Sequence, residues 1–253
     1  MKEEPQEWEE SEAITKREPD AAPQRKGSRV NKLVMTLVAA LLIVIIAGLS
    51  APMVLRCRVA TERTQTINNA KQVGLALLEF DQEFGSFPDN STAPMVRAAI
   101  EGDTKLTLSG TSSNAMFRQL IAYGVGSEDI FFVPDHPECS KKPDGNMRPG
   151  KALEAGENGW SYIMLDVDTG QNTSGNPGRP VLAAPMRIGT DQFWSEPFGD
   201  KGIILRLDNS VEVPIIRKDG RLSVGNGKTL FDTGEERVWG PVSPVILHPE
   251  PGG

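Results

Sequence analysis

The sequence predicts an α+β protein: one long N-terminal helix, transmembrane first and amphipathic second, packed on a small head built on an antiparallel sheet. Three observations predict it. The 23 residues Leu33–Leu55 carry no charge. From Arg56 to Phe84 apolar residues recur at three- and four-residue spacing with no proline among them. Beyond Pro88 the chain breaks into short apolar runs separated by turns rich in Gly and Pro.

Each segment has its own justification. Residues 1–32 carry acidic residues from Glu3 to Glu12, then a basic cluster, with Pro5, Pro19 and Pro23 breaking any helix. They are expected to form a disordered charged tail. Leu33–Leu55 exceeds the roughly 20 residues that cross a hydrocarbon core and is apolar on every face. It is expected to be an uncleaved transmembrane helix contacting the lipid bilayer, rather than a buried core helix or a cleaved signal with its usual short apolar region. Basic residues flank it almost equally, Arg25, Lys26, Arg29 and Lys32 before it and Arg56, Arg58 and Arg63 after it, so charge gives orientation only a weak vote for a cytoplasmic N-terminus. Residues 56–84 are its amphipathic extension, with Ile67, Ala70, Gly74, Leu77 and Leu78 on one stripe. Gly85 and Pro88 mark its end. Residues 85–240 form the head and 241–253 a Pro-rich extended tail.

Composition narrows the function. Gly 25 and Pro 19 in 253 residues exclude an all-helical bundle. The net charge of −7 is opposite to that of a nucleic-acid binder, so no nucleic-acid partner is expected. Mean hydropathy is −0.30, so most of the chain is suited to water. Two His and two Cys leave little for a zinc site, a disulfide framework or a His-dependent catalytic centre.

The stretch APMVLRCRVATERTQTINNAKQVGLALLEFDQEFGSFP carries a more specific signal. Pro52, Arg58, Arg63, Thr64, Gln65, Asn68, Asn69, Lys71, Gln72, Gly74, Leu75, Ala76, Leu77, Gly85, Phe87 and Pro88 fall in register with the N-terminal block of bacterial pilin-like proteins that have prepilin-type leaders. The chain resembles that family of type IV pilin-like proteins and pseudopilins over about residues 31–216. The family ends in a His-(nine residues)-Asp-Gly signature. Here the strand IILRLDNSVEV leaves nine residues between Phe198 and Asp208, so Phe198 stands in place of His and Asn209 in place of Gly. The leader departs as well. Val30, Asn31 and Met35 occupy the places of the leader's Gly, Phe and Glu, and the nearby Gly27 is followed by Ser28 with Lys32 at the fifth position after it. The chain is therefore expected to escape prepilin peptidase. It also lacks the Glu that registers pilin subunits during assembly.

Within the head, MVRAAIEG after residue 94 reads as a short helix, and AMFRQLIAYG as a helix capped by Ser113 or Asn114 and ended by Gly124. DIFFV (129–133) reads as a buried strand. WSYIMLDV, PVLAAPM, KGIILRLDNSVEVPII and RLSV read as the strands of a sheet, with a hairpin turn at Asp208-Asn209-Ser210.

Candidate chemistry is thin. Asp166-Val-Asp168-Thr-Gly170 opens like a calcium loop, but Gln171 and Pro177 stand where an EF-hand needs Gly and Glu, so a turn is expected. Whether the head holds calcium stays open. His136, near Asp135, Glu138 and Cys139, is conceivable in a metal or acid/base site but reads better as a loop residue. His248 needs no role, and Gly225–Lys228 is a turn rather than a phosphate loop. Cys57 and Cys139 read as free thiols, a bridge between them being the open alternative. No catalytic, cofactor-binding or metal residue is assigned. The expected function is a non-enzymatic, single-pass structural or interaction protein of the bacterial cell envelope, related to type II secretion pseudopilins. Other pilin-like subunits are its candidate partners, and its head lies outside the inner membrane. The alternative is a ligand-binding or enzymatic ectodomain on the same anchor.

Overall fold

A computed structural model of the chain describes residues 29–100, 104–148, 150–168 and 171–253, without the side chains of residues 29, 30, 47, 49–53 and 55. Of the charged tail expected over 1–32, residues 1–28 lie outside them. The chain divides into two units, Met1–Ala51 and Pro52–Gly253. Helix α1 (Arg29–Phe84) gives its first part to the first unit and its residues from Pro52 onward to the second.

In the first unit the described apolar side chains face outward. Leu33 is 63% exposed, Met35 74% and Ile46 64%. The transmembrane element of the expected fold class is corrected here. Among the described residues no helix is long and apolar enough to cross a membrane. Described apolar side chains extend from Leu33 to Ile46 with Thr36 among them. The fold class that stands is an antiparallel five-stranded sheet with helices packed on it.

The second unit is built on that sheet. Its strands are β1 (Ser161–Met164), β2 (Pro180–Ala184), β3 (Ile203–Arg206), β4 (Val211–Glu212) and β5 (Val245–Leu247). They lie in the order β4-β3-β2-β1-β5, every neighbouring pair antiparallel. Alternate residues divide between two apolar clusters. Tyr162, Met164, Leu182, Ala184, Ile203 and Leu205 join Ala70, Val73, Leu77 and Phe80 of α1 and Met116, Phe117 and Leu120 of helix α3 (Ser113–Tyr123). Ile163, Ala183 and Ile204 join Met186, Phe193, Ile216, Leu222, Leu230 and Trp239 from the connections after β2. Both sheet faces are covered, which is why β2 and β3 read as continuous apolar runs rather than alternating ones. The edges are short. β4 has two residues, with Glu212 paired to Arg206 at 2.7 Å, and β5 has three, with Pro249 close behind.

The short helices follow local chemistry. Pro94 sits in the first turn of α2 (Ala93–Ala99), where its missing N–H costs nothing. The cap of α3 is Ser112, one residue before the expected pair. Its side chain accepts the Ala115 amide at 3.2 Å, and Gly124 at φ 147 ends the helix. Ser113 and Asn114 are inside instead, donating to the carbonyls of Trp160 (2.7 Å) and Leu153 (3.1 Å).

Three expectations for the sheet are corrected. DIFFV is a 3₁₀ turn over Asp129–Phe131, not a strand. Asn69 of α1 donates to the carbonyls of Asp129 (3.0 Å) and Phe132 (2.9 Å), so those acceptors serve a helix side chain rather than a ladder. RLSV makes only isolated bridges, Ile216 with Leu222 and Ser223 with Thr229. The Pro-rich segment 241–253 supplies β5, paired with β1 in the register Tyr162–Leu247, Ile163–Ile246 and Met164–Val245.

One close approach fixes α1 against the sheet. At the tip of the β3–β4 hairpin Asn209 has φ 61, the left-handed region that Asn tolerates and Gly favours. A Cβ at Gly74 would lie 2.1 Å from Asn209 Oδ1 and 3.0 Å from a Leu205 methyl, so glycine is required for the helix to pass the hairpin. Gly74→Ala is expected to destabilise by about 2 kcal/mol, overpacking outweighing alanine's better helix propensity of about 1 kcal/mol. Asn209→Gly alone is expected to be near neutral, because it removes a buried Oδ1 that has no hydrogen-bond partner. Combined with Gly74→Ala it is expected to restore most of the loss. Denaturant midpoints of the four chains in this cycle measure the coupling, and strictly additive effects would disprove the contact.

Candidate functional site

Both histidines of the chain feel the charge of one carboxylate, Glu138. The loop that starts at Pro134 turns sharply at Asp135, whose φ is 53, and buries His136 at 1% exposure. His136 Nδ1 accepts the amides of Glu138 (3.2 Å) and Cys139 (3.1 Å), which leaves its proton on Nε2. Glu138 Oε2 accepts the Ile188 amide and the Trp194 indole, both at 3.0 Å. Arg187 stacks over the same Trp194 ring at 4.2 Å. His248, just beyond β5, has Nδ1 3.2 Å from Ser161 Oγ on β1.

Burial holds both imidazoles and the Cys139 thiol uncharged at neutral pH. Burial pushes the His136 imidazole down to about 4, against the pull of the Glu138 charge. Burial also lowers the pKa of His248. It pushes the Cys139 thiol up to about 12, with Glu138 acting in the same direction. The thiol faces the Glu250 carbonyl at 3.8 Å. Cys57 and Cys139 are both free, the first exposed and the second buried.

A serine beside an imidazole is the start of a nucleophilic pair, but Ser161 is 1% exposed on a central strand, and a nucleophile must be reachable. Glu138 already serves two donors. The cluster therefore works as a junction that ties the 134–139 loop to β1, β5 and the segment after β2.

The junction has a measurable signature. Burial lowers the His136 imidazole from its ordinary 6.5 to about 4 in the folded chain. Its contribution is complete above pH 6.5 and is lost as pH falls from there to about 4, a change of about 3 kcal/mol. His136→Asn keeps a short side-chain acceptor for the two amides and has no proton to take up. It is expected to flatten that acid limb in a series of thermal melts from pH 7.5 to 4. A limb unchanged by the substitution would remove His136 as its cause.

The other residues singled out by sequence are structural. Phe198 is fully buried in the larger apolar cluster with Ile203 and Leu205. Asp208 Oδ1 accepts the Ser210 amide at 2.9 Å, and these hydrogen bonds lower the pKa of its carboxyl group. Asp166 Oδ1 accepts the Asp168 amide at 2.8 Å, a turn closed on itself. Gly170 of that motif lies outside the described residues. Gly225–Lys228 is a turn closed by the Lys228 amide on the Gly225 carbonyl at 2.9 Å.

No known protein family, curated protein or solved structure matches this chain. Its own surface therefore has to carry the functional reading. The stretch 56–88 divides cleanly. Asn69, Gly74, Leu77 and Phe87 are buried, whereas Thr64, Gln65, Asn68, Gln72 and Leu75 are exposed along one side of α1. Leu75 is 53% exposed. The outward set lies three and four residues apart, one continuous helical stripe.

Sequence reasoning missed a second cluster. Among the described residues Asp144, Glu154 and Glu157 bring carboxylate oxygens within 4.8 Å of one another. Nothing in their spacing signals it, because they lie in a loop without regular structure.

Proposed function

We propose that the chain is a non-enzymatic, pilin-like structural or interaction protein of the bacterial cell envelope. It is held at the inner membrane by the apolar segment Leu33–Leu55, with its head on the extracytoplasmic side. One observation carries this reading: apolar side chains from Leu33 to Ile46 stand exposed on a helix, Leu37 at 62%, Ile43 at 67% and Val44 at 68% among them. An apolar surface of that extent in water marks a contact with lipid or protein. The same segment carries no charge in the sequence, so nothing in it opposes contact with lipid. The outward stripe of Thr64, Gln65, Asn68, Gln72 and Leu75, unused by the chain's own fold, is the surface offered to other pilin-like subunits.

Membrane fractionation with intact-mass analysis tests the proposal. The full chain is expected in the membrane pellet after alkaline washing, with its first residue still Met1. Quantitative release into the soluble fraction, or a mature start at residue 28 or 31, would overturn it.

A further inference from the structure

Three cations line one pocket of the second unit, on a chain whose net charge is −7. Arg206 at the end of β3, Lys228 of the Gly225–Lys228 turn and Arg237 share a cavity of about 310 Å³. That volume is at the lower end of the range for small-molecule sites. Val224, Leu230 and Val238 give the cavity an apolar wall. All its lining residues belong to Pro52–Gly253, so it owes nothing to the apolar segment of α1.

The chain satisfies these cations incompletely. Arg206 is fixed in place. Its terminal nitrogens donate to the Gly178 carbonyl and, at 2.7 Å, to Glu212, and its side chain is only 13% exposed. Its Nε is buried and has no hydrogen-bond partner. Arg237 Nη1 is buried without a partner as well. The ion pairs of the lining cations are Arg206 with Glu212 and Lys228 with Glu236, and neither includes Arg237. Asp232 is spent on Thr229, accepting its amide at 2.8 Å and its hydroxyl at 2.7 Å. Those hydrogen bonds, with the Arg237 charge adding to them, hold the Asp232 carboxyl below its usual range. Glu236 lies 3.8 Å from Lys228, but its side chain is 91% exposed and can leave for water.

Buried guanidinium N–H groups are normally matched by an acceptor. Two unmatched ones on residues of a single pocket point to an acceptor that comes from outside the chain. The Gly225 and Asn226 amides, also in the lining, donate to no acceptor among the described residues.

We propose that this pocket binds a small organic oxyanion, a carboxylate or a phosphate ester, with Arg206 and Arg237 donating to its oxygens, Lys228 adding charge and the apolar wall receiving its carbon skeleton. A guanidinium fork matches either oxyanion in two parallel hydrogen bonds, and such charge-assisted bonds are about twice as strong as neutral ones. Glu212 and the Gly178 carbonyl preorganise Arg206. Arg237 has its fork uncommitted and can turn it toward the ligand. No helix starts at this turn, so the site rests on side chains and turn amides rather than on a helix terminus. Glu236 is the competitor that the ligand displaces.

The test uses the full chain in detergent micelles, in calorimetric titrations and thermal melts with sodium phosphate and with sodium citrate. Sodium chloride at equal ionic strength is the control. Saturable binding of one anion per chain at millimolar concentration, with a higher melting temperature, is expected from at least one of the two and not from chloride. A response to phosphate alone assigns the ester, and a response to citrate alone the carboxylate. Arg237→Gln, which breaks no ion pair, is expected to weaken binding about tenfold or more without lowering the melt of the anion-free protein. Glu236→Gln is expected to tighten binding several-fold, because it removes the competing charge. A parent chain without saturable binding of either anion, or with a melting shift that chloride reproduces, would overturn the proposal. So would binding that survives intact in Arg237→Gln.

Discussion

Leu77→Asp lowers the stability of the head by about 4–5 kcal/mol, a large part of what a domain of this size has to lose. Leu77 is 1% exposed and lines the same small space as Phe87, Val181 and Leu205. Removing the leucine forfeits its burial and leaves a gap, about 2–5 kcal/mol for a truncation alone. The aspartate adds a carboxyl group among apolar neighbours, where it must stay protonated or remain charged without a partner. The cost therefore grows with pH above the carboxyl's ordinary range. Leu77→Met keeps volume and polarity and is expected to cost less than about 1.5 kcal/mol. Urea unfolding of the three chains at neutral pH is the measurement. An unchanged midpoint for Leu77→Asp would show that this side of α1 does not face the sheet.

Phe198→Ala follows with about 3–5 kcal/mol. The ring is 0% exposed and shares the larger apolar cluster with Ile203 and Leu205 of β3. Phe198→Leu, which keeps most of the volume, is expected to cost much less. Phe198→His is the more informative change, since it introduces an ionisable ring at a fully buried position. An imidazole there enters an apolar site, so destabilisation comparable to Phe198→Ala is expected, deepening below pH 6.5 as the unfolded state takes up the proton. A Phe198→His chain as stable as the parent at pH 7 would mean that the site retains a polar partner for the ring.

The parts of the head that were legible are those where local pattern and tertiary demand agree. Met116, Phe117, Leu120 and Ile121 repeat at helical spacing and all are buried in α3. PVLAA and IILR are apolar runs of strand length and are strands. DIFFV was misread because a buried apolar pentad looks the same in a strand and in a 3₁₀ turn. The deciding group, Asn69, lies 60 residues away. β5 was hidden by Pro244 and Pro249, which flank a segment just long enough to pair on one side with β1. The helix cap was misplaced by one residue among Ser112, Ser113 and Asn114, three chemically similar candidates that only backbone geometry separates. Of the site, the two histidines were visible as residues, but their shared dependence on the Glu138 charge was not. His248 is brought there by the unanticipated β5. The carboxylates at 144, 154 and 157 were invisible for the same reason: their proximity belongs to the folded loop and not to any periodicity.

The placement of β5 bears on the order in which the head is made. β1 finds β2 within about twenty residues of chain, but its other edge waits for Val245–Leu247. Until those residues leave the ribosome, Tyr162, Ile163 and Met164 present open backbone groups and apolar side chains together. The Glu250 carboxylate, which clasps Arg118 at 3.0 Å and Ser112 at 2.8 Å, arrives later still. Such a non-local closure is slow by nature. The nascent head therefore passes through a stage in which a neighbouring chain's strand competes with its own for the edge of β1. Protection of that edge during synthesis, by a chaperone or by rapid release, is then a condition of its yield.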